Sequence, residues 1–263
     1  MPQVKPTIVR AVHANVGVEA WYRTQLQWAI REMSQSMLHE VRACWREHRP
    51  TIGMAQDANP SWLMRKALTK WGGIWERRLD KLADELGKKF ADQSIGVTET
   101  AMRFAFAEAG FTVKFRPSRG SLEVYQAVLA ENVNLIKSIP QQYLTQVQSQ
   151  VWQSVMKGAD MGELTAAIEK QYGIAWRRAA FIARDQNNKA KAIIENERRS
   201  ELGITEAIWQ HSGAGKEPRP EHVKFSGKRY ELVKGAYLEG KWVWPGTEPN
   251  CRCTSRAIIP GFG

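Results

Sequence analysis

The spacing of apolar residues changes at Gly203, and this change limits the folds that the chain can adopt. Before that glycine, apolar residues recur every three or four positions, as they do on one face of a helix. After it, short alternating runs are separated by glycines and prolines, as in strands joined by turns. The sequence therefore predicts an α+β protein. Its N-terminal and central regions are mostly helical, and a small antiparallel β unit forms the C-terminal part.

Helical spacing is clearest between Val16 and Glu47, where one apolar stripe steps by three or four residues. The stripe consists of Leu26, Ile30, Met33, Met37, Val41 and Cys44. Because Cys44 continues this stripe, we expect it to be a core residue. Further helices are predicted over residues 60–93, 98–109, 121–139, 140–158, 160–173 and 174–200, with ends set by glycine or proline.

Alternating apolar residues predict one strand in the first half of the chain, at residues 111–115. Beyond Gly203, further strands are predicted at residues 207–211, 228–232, 241–244 and 252–259. The break at residues 117–120 suggests a domain boundary. We therefore expect an N-terminal helical region over residues 1–118 and a C-terminal domain over residues 119–263. The second would contain helices within 121–200 and the β unit over 204–260.

The net charge is +11, and each successive fifth of the chain contributes to the excess of basic residues. Basic proteins favour polyanionic partners such as nucleic acid, but an evenly basic solvated surface explains the same composition. The first ten residues lack the apolar core of a signal peptide, and no apolar run reaches the length of a membrane span. With three cysteines, a secreted disulfide framework is not expected. These features predict a cytosolic protein without a membrane partner.

Two cysteines one residue apart, Cys251 and Cys253, form the most distinctive short motif. In a strand both side chains would share one face, with Arg252 on the other. Thiolates with His222 could bind zinc, although the spacing is not the usual Cys-x-x-Cys, and His211 is the nearest guess for a fourth ligand. Alternatively, the cysteines are small buried side chains that tie a strand to the core.

A second motif places Lys216, Arg219 and His222 three residues apart in a turn region. These side chains could bind a phosphate or a partner's carboxylate. They could also clamp the fold internally, with Arg219 paired to a helix acid such as Asp185 and His222 bonded to a carbonyl. Arg184 and Asp185 together could join their helix to the β unit, and a catalytic dyad is the alternative.

No phosphate-binding loop, nucleophile elbow or zinc-protease motif occurs in the sequence. We therefore expect that the chain is not an enzyme and has no catalytic residues.

The order and spacing of the C-terminal motifs resemble those of phage head morphogenesis proteins, also called phage Mu F-like minor head proteins. An Ala-Arg-Asp helix segment is followed by Trp209, Arg-x-x-His, Gly227, Pro-Gly and the closing Asn-Cys-Arg-Cys. The resemblance extends roughly from Leu144 to Ile259. The family commonly has Thr-Glu where this chain has Asp185-Gln186, which argues against a special role for position 186. The residues expected to have a structural or interaction role are Arg184, Asp185, Trp209, Lys216, Arg219, His222, Gly227, Asn250, Cys251, Arg252 and Cys253. Lys216 is included because of the basic motif described above, and the others lie in the matched motifs.

The resemblance implies a low-copy structural protein of tailed-phage heads. Its expected partners are the portal protein, with scaffold or major capsid protein as further candidates, and double-stranded DNA bound without sequence preference. The protein would act during procapsid assembly and genome packaging, in the host cytoplasm and then in the capsid interior, and no cofactor is implied. Two alternatives stay open. One is a zinc-dependent hydrolase or nuclease using His222, Cys251 and Cys253, and the other is a free-standing nucleic-acid-binding protein.

Overall fold

The structure, a computed structural model, describes residues 5–47, 60–156, 161–213 and 217–261. It is 69% helical, with a small antiparallel sheet near the C-terminus, which confirms the predicted α+β class. The helices are α1 (Val16–Glu47), α2 (Pro60–Glu108), α3 (Arg119–Met156), α4 (Met161–Glu201) and the short α5 (Pro220–Phe225). The strands are β1 (Thr7–Ile8), β2 (Glu206–Gln210), β3 (Arg229–Glu231), β4 (Ala236–Leu238), β5 (Lys241–Val243) and β6 (Thr254–Ile259).

The long helices after α1 continue through places where the sequence predicts an end. Residues 94–97 lie within α2, Pro140 lies inside α3 and Gly173 lies inside α4, so those predicted ends are wrong. The parts of α3 before and after Pro140 each bury apolar side chains, Ile136 before it and Tyr143 after it among them. Such burial offsets a local cost of about 1–3 kcal/mol for a glycine or proline. The predicted helix end at 158 and helix start at 160 lie outside the described residues.

The strand predicted at residues 111–115 is also wrong, because this segment is extended but pairs with no strand in the described part of the chain. The Phe111 N–H instead donates to the Phe106 carbonyl oxygen at 2.9 Å, closing the end of α2. The alternation does reflect burial, since Phe111, Val113 and Phe115 pack partly against a hydrophobic core. Period-two spacing thus identified one buried side of an extended segment rather than a strand in a sheet.

The chain divides into two compact units, each assembled from separate segments. The first unit contains residues 1–20, 88–130 and 184–263, and the second contains residues 21–87 and 131–183. The compact units do not divide the chain at residues 118–119, where a domain boundary is predicted. That boundary therefore stays a prediction about domains and does not describe the compact units.

The second unit consists of helical segments whose apolar stripes face inward. The six residues of the α1 stripe, including Cys44, are all buried, as predicted. Polar groups within the unit are paired. The indole N–H groups of Trp71 and Trp75 both donate to Ser36 Oγ, at 2.7 and 3.1 Å. Tyr143 donates its hydroxyl to Ser34 Oγ at 3.0 Å, so the buried tyrosine is also satisfied.

The first unit contains the sheet. Its four antiparallel strands lie in the order β1-β6-β2-β3, and β4 and β5 form a separate hairpin. Four strands occur close to their predicted positions, whereas β1 and β4 were not predicted. The β2–β6 register pairs Trp209 with Ser255 and Gln210 with Thr254. This register brings the end of β2 beside the start of β6, where the Cys-Arg-Cys motif enters the sheet.

Candidate functional site

The short helix α5 directs His222 into the first unit. Pro220 stands at the first helical position, where its missing N–H costs nothing, and Arg219 precedes it in an extended conformation. The helix ends after six residues, and His222 is only 2% exposed. A short helix with proline at its start therefore places His222 on the inward side of this segment.

The loop that carries the two cysteines is held against α4. The Asp185 carboxylate accepts the backbone N–H of Asn250 at 2.5 Å, and Asn250 adopts a left-handed conformation with φ 60°. Asparagine tolerates this conformation better than most residues. The Cys251 N–H then donates to the Glu248 carbonyl oxygen at 2.9 Å, which closes a turn. Asp185 thus anchors the loop through the backbone, a role that the sequence suggested only as a helix-to-β connection.

His222, Cys251 and Cys253 converge at one buried point. The Nδ1 atom of His222 lies 3.6 Å from Cys251 Sγ and 3.7 Å from Cys253 Sγ. All three donor atoms lie within 4.8 Å of one another, and both cysteines are free and 4% exposed. Residues 251–253 precede β6, so the prediction that they lie in a strand is wrong. Both sulfur atoms nevertheless approach the His222 imidazole.

A cluster of aromatic rings forms the apolar side of the site. Trp209 on β2 is fully buried, and its ring meets the His222 ring edge-on, with centroids 5.1 Å apart. Phe225 and Tyr230 also pack edge-on against Trp209, at 5.8 and 6.1 Å. Gly227 completes the support. It adopts φ 85° and donates its N–H to the Trp209 carbonyl oxygen at 2.8 Å. The imidazole is therefore held by rigid packing on this side.

Glu248 supplies a carboxylate that the sequence analysis did not identify. Its Oε2 lies 3.3 Å from His222 Nε2 and 3.8 Å from a guanidinium nitrogen of Arg219, and Lys241 pairs with its other oxygen. Burial alone would raise the pKa of Glu248, but the hydrogen bond and charge of Lys241, with Arg219, hold it below its ordinary value. The carboxylate therefore stays ionised beside the imidazole.

Arg219 takes part in an internal clamp, as one of the two alternatives expected. Its guanidinium donates to the Pro249 carbonyl oxygen at 3.0 Å and approaches Glu248, so these partners lie in the loop before β6 and not on the helix, where Asp185 was the suggested partner. The expected bond from His222 to a carbonyl is wrong, because the contacts of its ring nitrogens are the two sulfurs and the Glu248 carboxylate. Lys216 lies outside the described residues.

The two sulfurs share one charge. The hydrogen bond with Cys253 is the main cause that lowers the pKa of Cys251 to about 4, and His222 acts in the same direction. The pKa of the Cys253 thiol is raised, first by its interaction with Cys251 and then by burial. A thiolate at Cys251 bonded to a thiol at Cys253 follows from this arrangement. Such a thiolate is both a nucleophile and a metal ligand.

The site borders a cavity of about 460 Å³ that is rich in basic groups. Its lining includes Arg184, His211, Arg219, His222, Arg252 and Cys253. The Nε atom of Arg184 is buried and makes no hydrogen bond within the described part of the chain. His211 faces this cavity, but its Nδ1 accepts the Gly213 N–H at 3.1 Å, and it does not belong to the three-donor group. Arg184, Arg219 and Arg252 outnumber the acidic lining residue Glu217, so the charge of the cavity favours an anion.

Glu248 and Lys241 were missed because they approach His222 only through tertiary structure. Lys241 is on β5, and Glu248 lies in the turn between β5 and β6. The only available signal was the position of Glu248 close before Cys251, which places it in the same loop. Nothing in the sequence indicates that this carboxylate meets the imidazole of a residue 26 positions earlier.

Comparison with known proteins gives a family for the part of the chain that contains this site. Residues 145–256 match the family described as phage Mu protein F like protein, which confirms the resemblance inferred from the C-terminal motifs. A Haemophilus influenzae protein described as uncharacterized is 27% identical over 248 residues. The match covers 92% of this chain but 53% of that relative, so the chain spans about half its length. No solved structure matches the chain significantly.

Proposed function

Since residues 145–256 carry the phage Mu protein F-like sequence, we propose that the chain is a minor head protein of a tailed phage that acts in head morphogenesis. The family match is the observation that carries this proposal. The proposed role is structural rather than enzymatic. The arrangement of the matched region supports it, because Asp185, Trp209 and Arg219 each fix a segment of backbone or a neighbouring side chain.

The proposed place of action is the capsid interior, reached from the host cytoplasm during assembly. In the described residues, no helix has the length and apolar composition that a membrane crossing requires. Mass analysis of purified empty shells and mature particles tests the location. We expect the chain in both, at a low copy number relative to the major capsid protein. Its absence from both kinds of particle would contradict a role as a head component.

The portal protein is the proposed main partner, with the N-terminal helical segments as the contact surface. Trp28 on α1 and Trp62 on α2 are both more than half exposed, at 54% and 58%. Tryptophan is a frequent anchor in protein interfaces, because its large rigid ring buries much surface at low entropic cost. Both residues belong to the second compact unit. We propose that this unit provides the apolar contacts with the portal, and scaffold and major capsid proteins are secondary candidates.

Co-purification with the portal oligomer encoded by the same phage tests this partner. The full chain should bind the portal, and the double variant Trp28→Ser/Trp62→Ser should bind at least about tenfold more weakly, since two anchors of about 1 kcal/mol or more are lost. Phe104→Ser is the control, because Phe104 is an aromatic residue that is also more than half exposed but belongs to the first unit. Equal portal binding by the unaltered chain, the double variant and the Phe104 variant would contradict the proposed contact surface. If the unaltered chain did not bind the portal, the portal would not be its partner.

We also propose non-specific binding to double-stranded DNA, which rests on the charge of +11 spread along the chain. Contacts with phosphates release counterions, so binding should weaken by about tenfold or more between ~50 and ~200 mM salt. Fluorescence anisotropy with two unrelated duplexes should give equal affinities. A peptide nucleic acid duplex, which lacks phosphates, is the control and should not bind. The proposal of DNA binding would be contradicted if the chain bound neither duplex at low salt, or if its affinity did not depend on the salt concentration.

A zinc-dependent hydrolase or nuclease is the second candidate, favoured by one observation: the buried His222, Cys251 and Cys253 group beside a basic cavity. This function needs turnover as well as a metal. An assay of the zinc-supplemented chain on duplex DNA, a phosphodiester and a protein substrate separates the two candidates. Turnover that is lost in Cys251→Ser would favour the enzyme, and no turnover is expected for a head protein.

A further inference from the structure

We propose that His222, Cys251 and Cys253 bind one zinc ion, with the fourth coordination position directed to a non-protein ligand. The first support is that two segments distant in sequence bring three donors together. His222 comes from α5, and the cysteines come from the loop before β6, yet their donor atoms lie within 4.8 Å of one another. All three residues are buried, so the cluster is a built feature and not a chance meeting of mobile surface groups.

The two nitrogen–sulfur distances fit a shared cation. Zinc bonds of about 2.3 Å to sulfur and 2.0–2.1 Å to nitrogen, at tetrahedral angles, put those two ligand atoms about 3.5 Å apart. The observed separations of His222 Nδ1 from the two sulfurs are 3.6 and 3.7 Å. An imidazole nitrogen has a single in-plane direction for one hydrogen or one lone pair. Near-equal approach to two sulfurs is therefore better explained by a cation between the three atoms than by one hydrogen bond.

The donor set selects the metal class. Two thiolates and one imidazole suit zinc, whereas magnesium and calcium prefer carboxylate and carbonyl oxygens. Two thiolates would also balance the charge of a divalent ion, so the buried site carries no net charge when it is occupied. The Trp209 ring packs against His222 and is itself backed by Phe225 and Tyr230, so this apolar side limits the access of water to the site.

Glu248 lies beside the His222 ring nitrogen that would not bind the metal. A metal on Nδ1 leaves the hydrogen of His222 on Nε2, which lies 3.3 Å from the Glu248 carboxylate but makes no hydrogen bond within the described part of the chain. Carboxylates in this position orient the ring and increase its basicity toward the metal. Lys241 and Arg219 hold the carboxylate in turn. We therefore assign Glu248 as a positioning residue for the metal ligand.

The fourth position faces the basic cavity. Within the described residues, the donor group contains no fourth histidine, cysteine or carboxylate. Arg184 and Arg252 border the adjoining cavity. A water molecule or small anion from the cavity would complete the tetrahedron there, as in zinc sites that have three protein ligands.

Metal analysis of the full chain tests the site. Protein purified from zinc-supplemented cells and dialysed should retain about one zinc per chain. After chelation, cobalt added to the unaltered chain should give intense visible bands of tetrahedral geometry and a near-ultraviolet band from thiolate. Metal addition should release protons, because thiols must ionise to bind. A folded chain that retains no zinc and shows no cobalt bands would overturn the proposal, whatever the variants do, and would leave the proposed head function standing.

Variants assign the ligands. Cys251→Ser and Cys253→Ser should lose the thiolate band and most of the bound zinc. Cys44→Ser is the matched control, since it removes a buried cysteine from the second unit, and it should bind as the unaltered chain does. Glu248→Gln should keep the cobalt spectrum but bind zinc about 10- to 100-fold more weakly. Equal loss in the Cys44 variant, or zinc retained in folded Cys251→Ser and Cys253→Ser, would overturn the ligand assignment.

Discussion

The Lys191 ammonium lies 3.1 Å from the Glu195 carboxylate, and both side chains are almost completely buried in α4, at 3% and 2% exposure. Arg199, one turn further along, pairs with the other oxygen of the same carboxylate and donates to Ser255 Oγ on β6 at 2.6 Å. A single acid thus balances two buried bases beneath the sheet. Ion pairs in this position need all their members, because an unpaired buried charge is costly.

Replacement of that acid should destabilise the fold strongly. We expect Glu195→Gln to reduce the free energy of unfolding by about 3–5 kcal/mol, because Lys191 and Arg199 would stay buried without a counter-charge. Urea denaturation followed by circular dichroism measures the change. The control is Glu221→Gln, which breaks the exposed pair with Lys224 and should change stability by less than about 1 kcal/mol. Similar losses in the two variants would contradict this account.

Trp209 should be the most sensitive aromatic residue of the first unit. It is fully buried and contacts the rings of His222, Phe225 and Tyr230, so Trp209→Ala should cost about 3–5 kcal/mol through lost burial and the cavity left behind. Trp242→Ala, at an exposed indole on β5, should cost less than about 1 kcal/mol. Thermal unfolding of both variants checks the difference. A small loss for Trp209→Ala would mean that the aromatic cluster does not hold the site.

Two glycines of the β4–β5 region separate backbone strain from crowding. Gly235 and Gly240 both have left-handed φ angles, 82° and 79°. A Cβ at Gly235 would lie 2.6 Å from the Val243 carbonyl oxygen, whereas a Cβ at Gly240 meets nothing within 4 Å. Gly240→Ala should therefore cost about 1–2 kcal/mol from the backbone alone. Gly235→Ala should cost a further 1–3 kcal/mol or so, because the carbonyl must move. Equal free energies of unfolding for the two variants would contradict the predicted clash between a Cβ at position 235 and the Val243 carbonyl oxygen.

Stability should fall at alkaline pH because of buried tyrosines. Burial raises the pKa of Tyr143 and of Tyr230 to about 12, and it raises that of Tyr22 as well. The contribution of these tyrosines to the free energy of unfolding is complete below their pKa in the unfolded chain, which is about 10. It is lost as the pH rises from there through about 12, because over this range the tyrosines ionise readily only in the unfolded chain. A rise of one tyrosine pKa from about 10 to about 12 corresponds to at most about 2.7 kcal/mol in the free energy of unfolding.

Urea denaturation at pH 8, 10 and 11, with tyrosinate absorbance recorded in parallel, measures this dependence. Tyr143→Phe should flatten the decline, whereas Tyr237→Phe, at an exposed position, should leave it unchanged. Ionisation of every tyrosine near pH 10 in the folded chain would contradict the buried environment.

Local pattern in the sequence was sufficient for much of the fold. The α1 stripe and its bounds, the change of period at Gly203 and four strands follow from side-chain periodicity and from glycines with left-handed φ. The same reasoning gave the residues of the site, because His222, Cys251 and Cys253 are distinctive chemical types in a region with little apolar bulk. The helix ends predicted from local propensity were wrong at Pro140 and Gly173. Apolar side chains are buried on both sides of each residue, and α3 and α4 are continuous there.

Only the tertiary structure decided what surrounds those residues. The register of β2 with β6 and the anchoring of Asn250 by Asp185 bring the two cysteines to His222, and the turn at Glu248 adds the carboxylate. The sequence determined which side chains have metal-binding chemistry, because that is a property of each residue. Their distances depend on hydrogen bonds and packing between segments far apart in the chain, and no local pattern encodes those contacts.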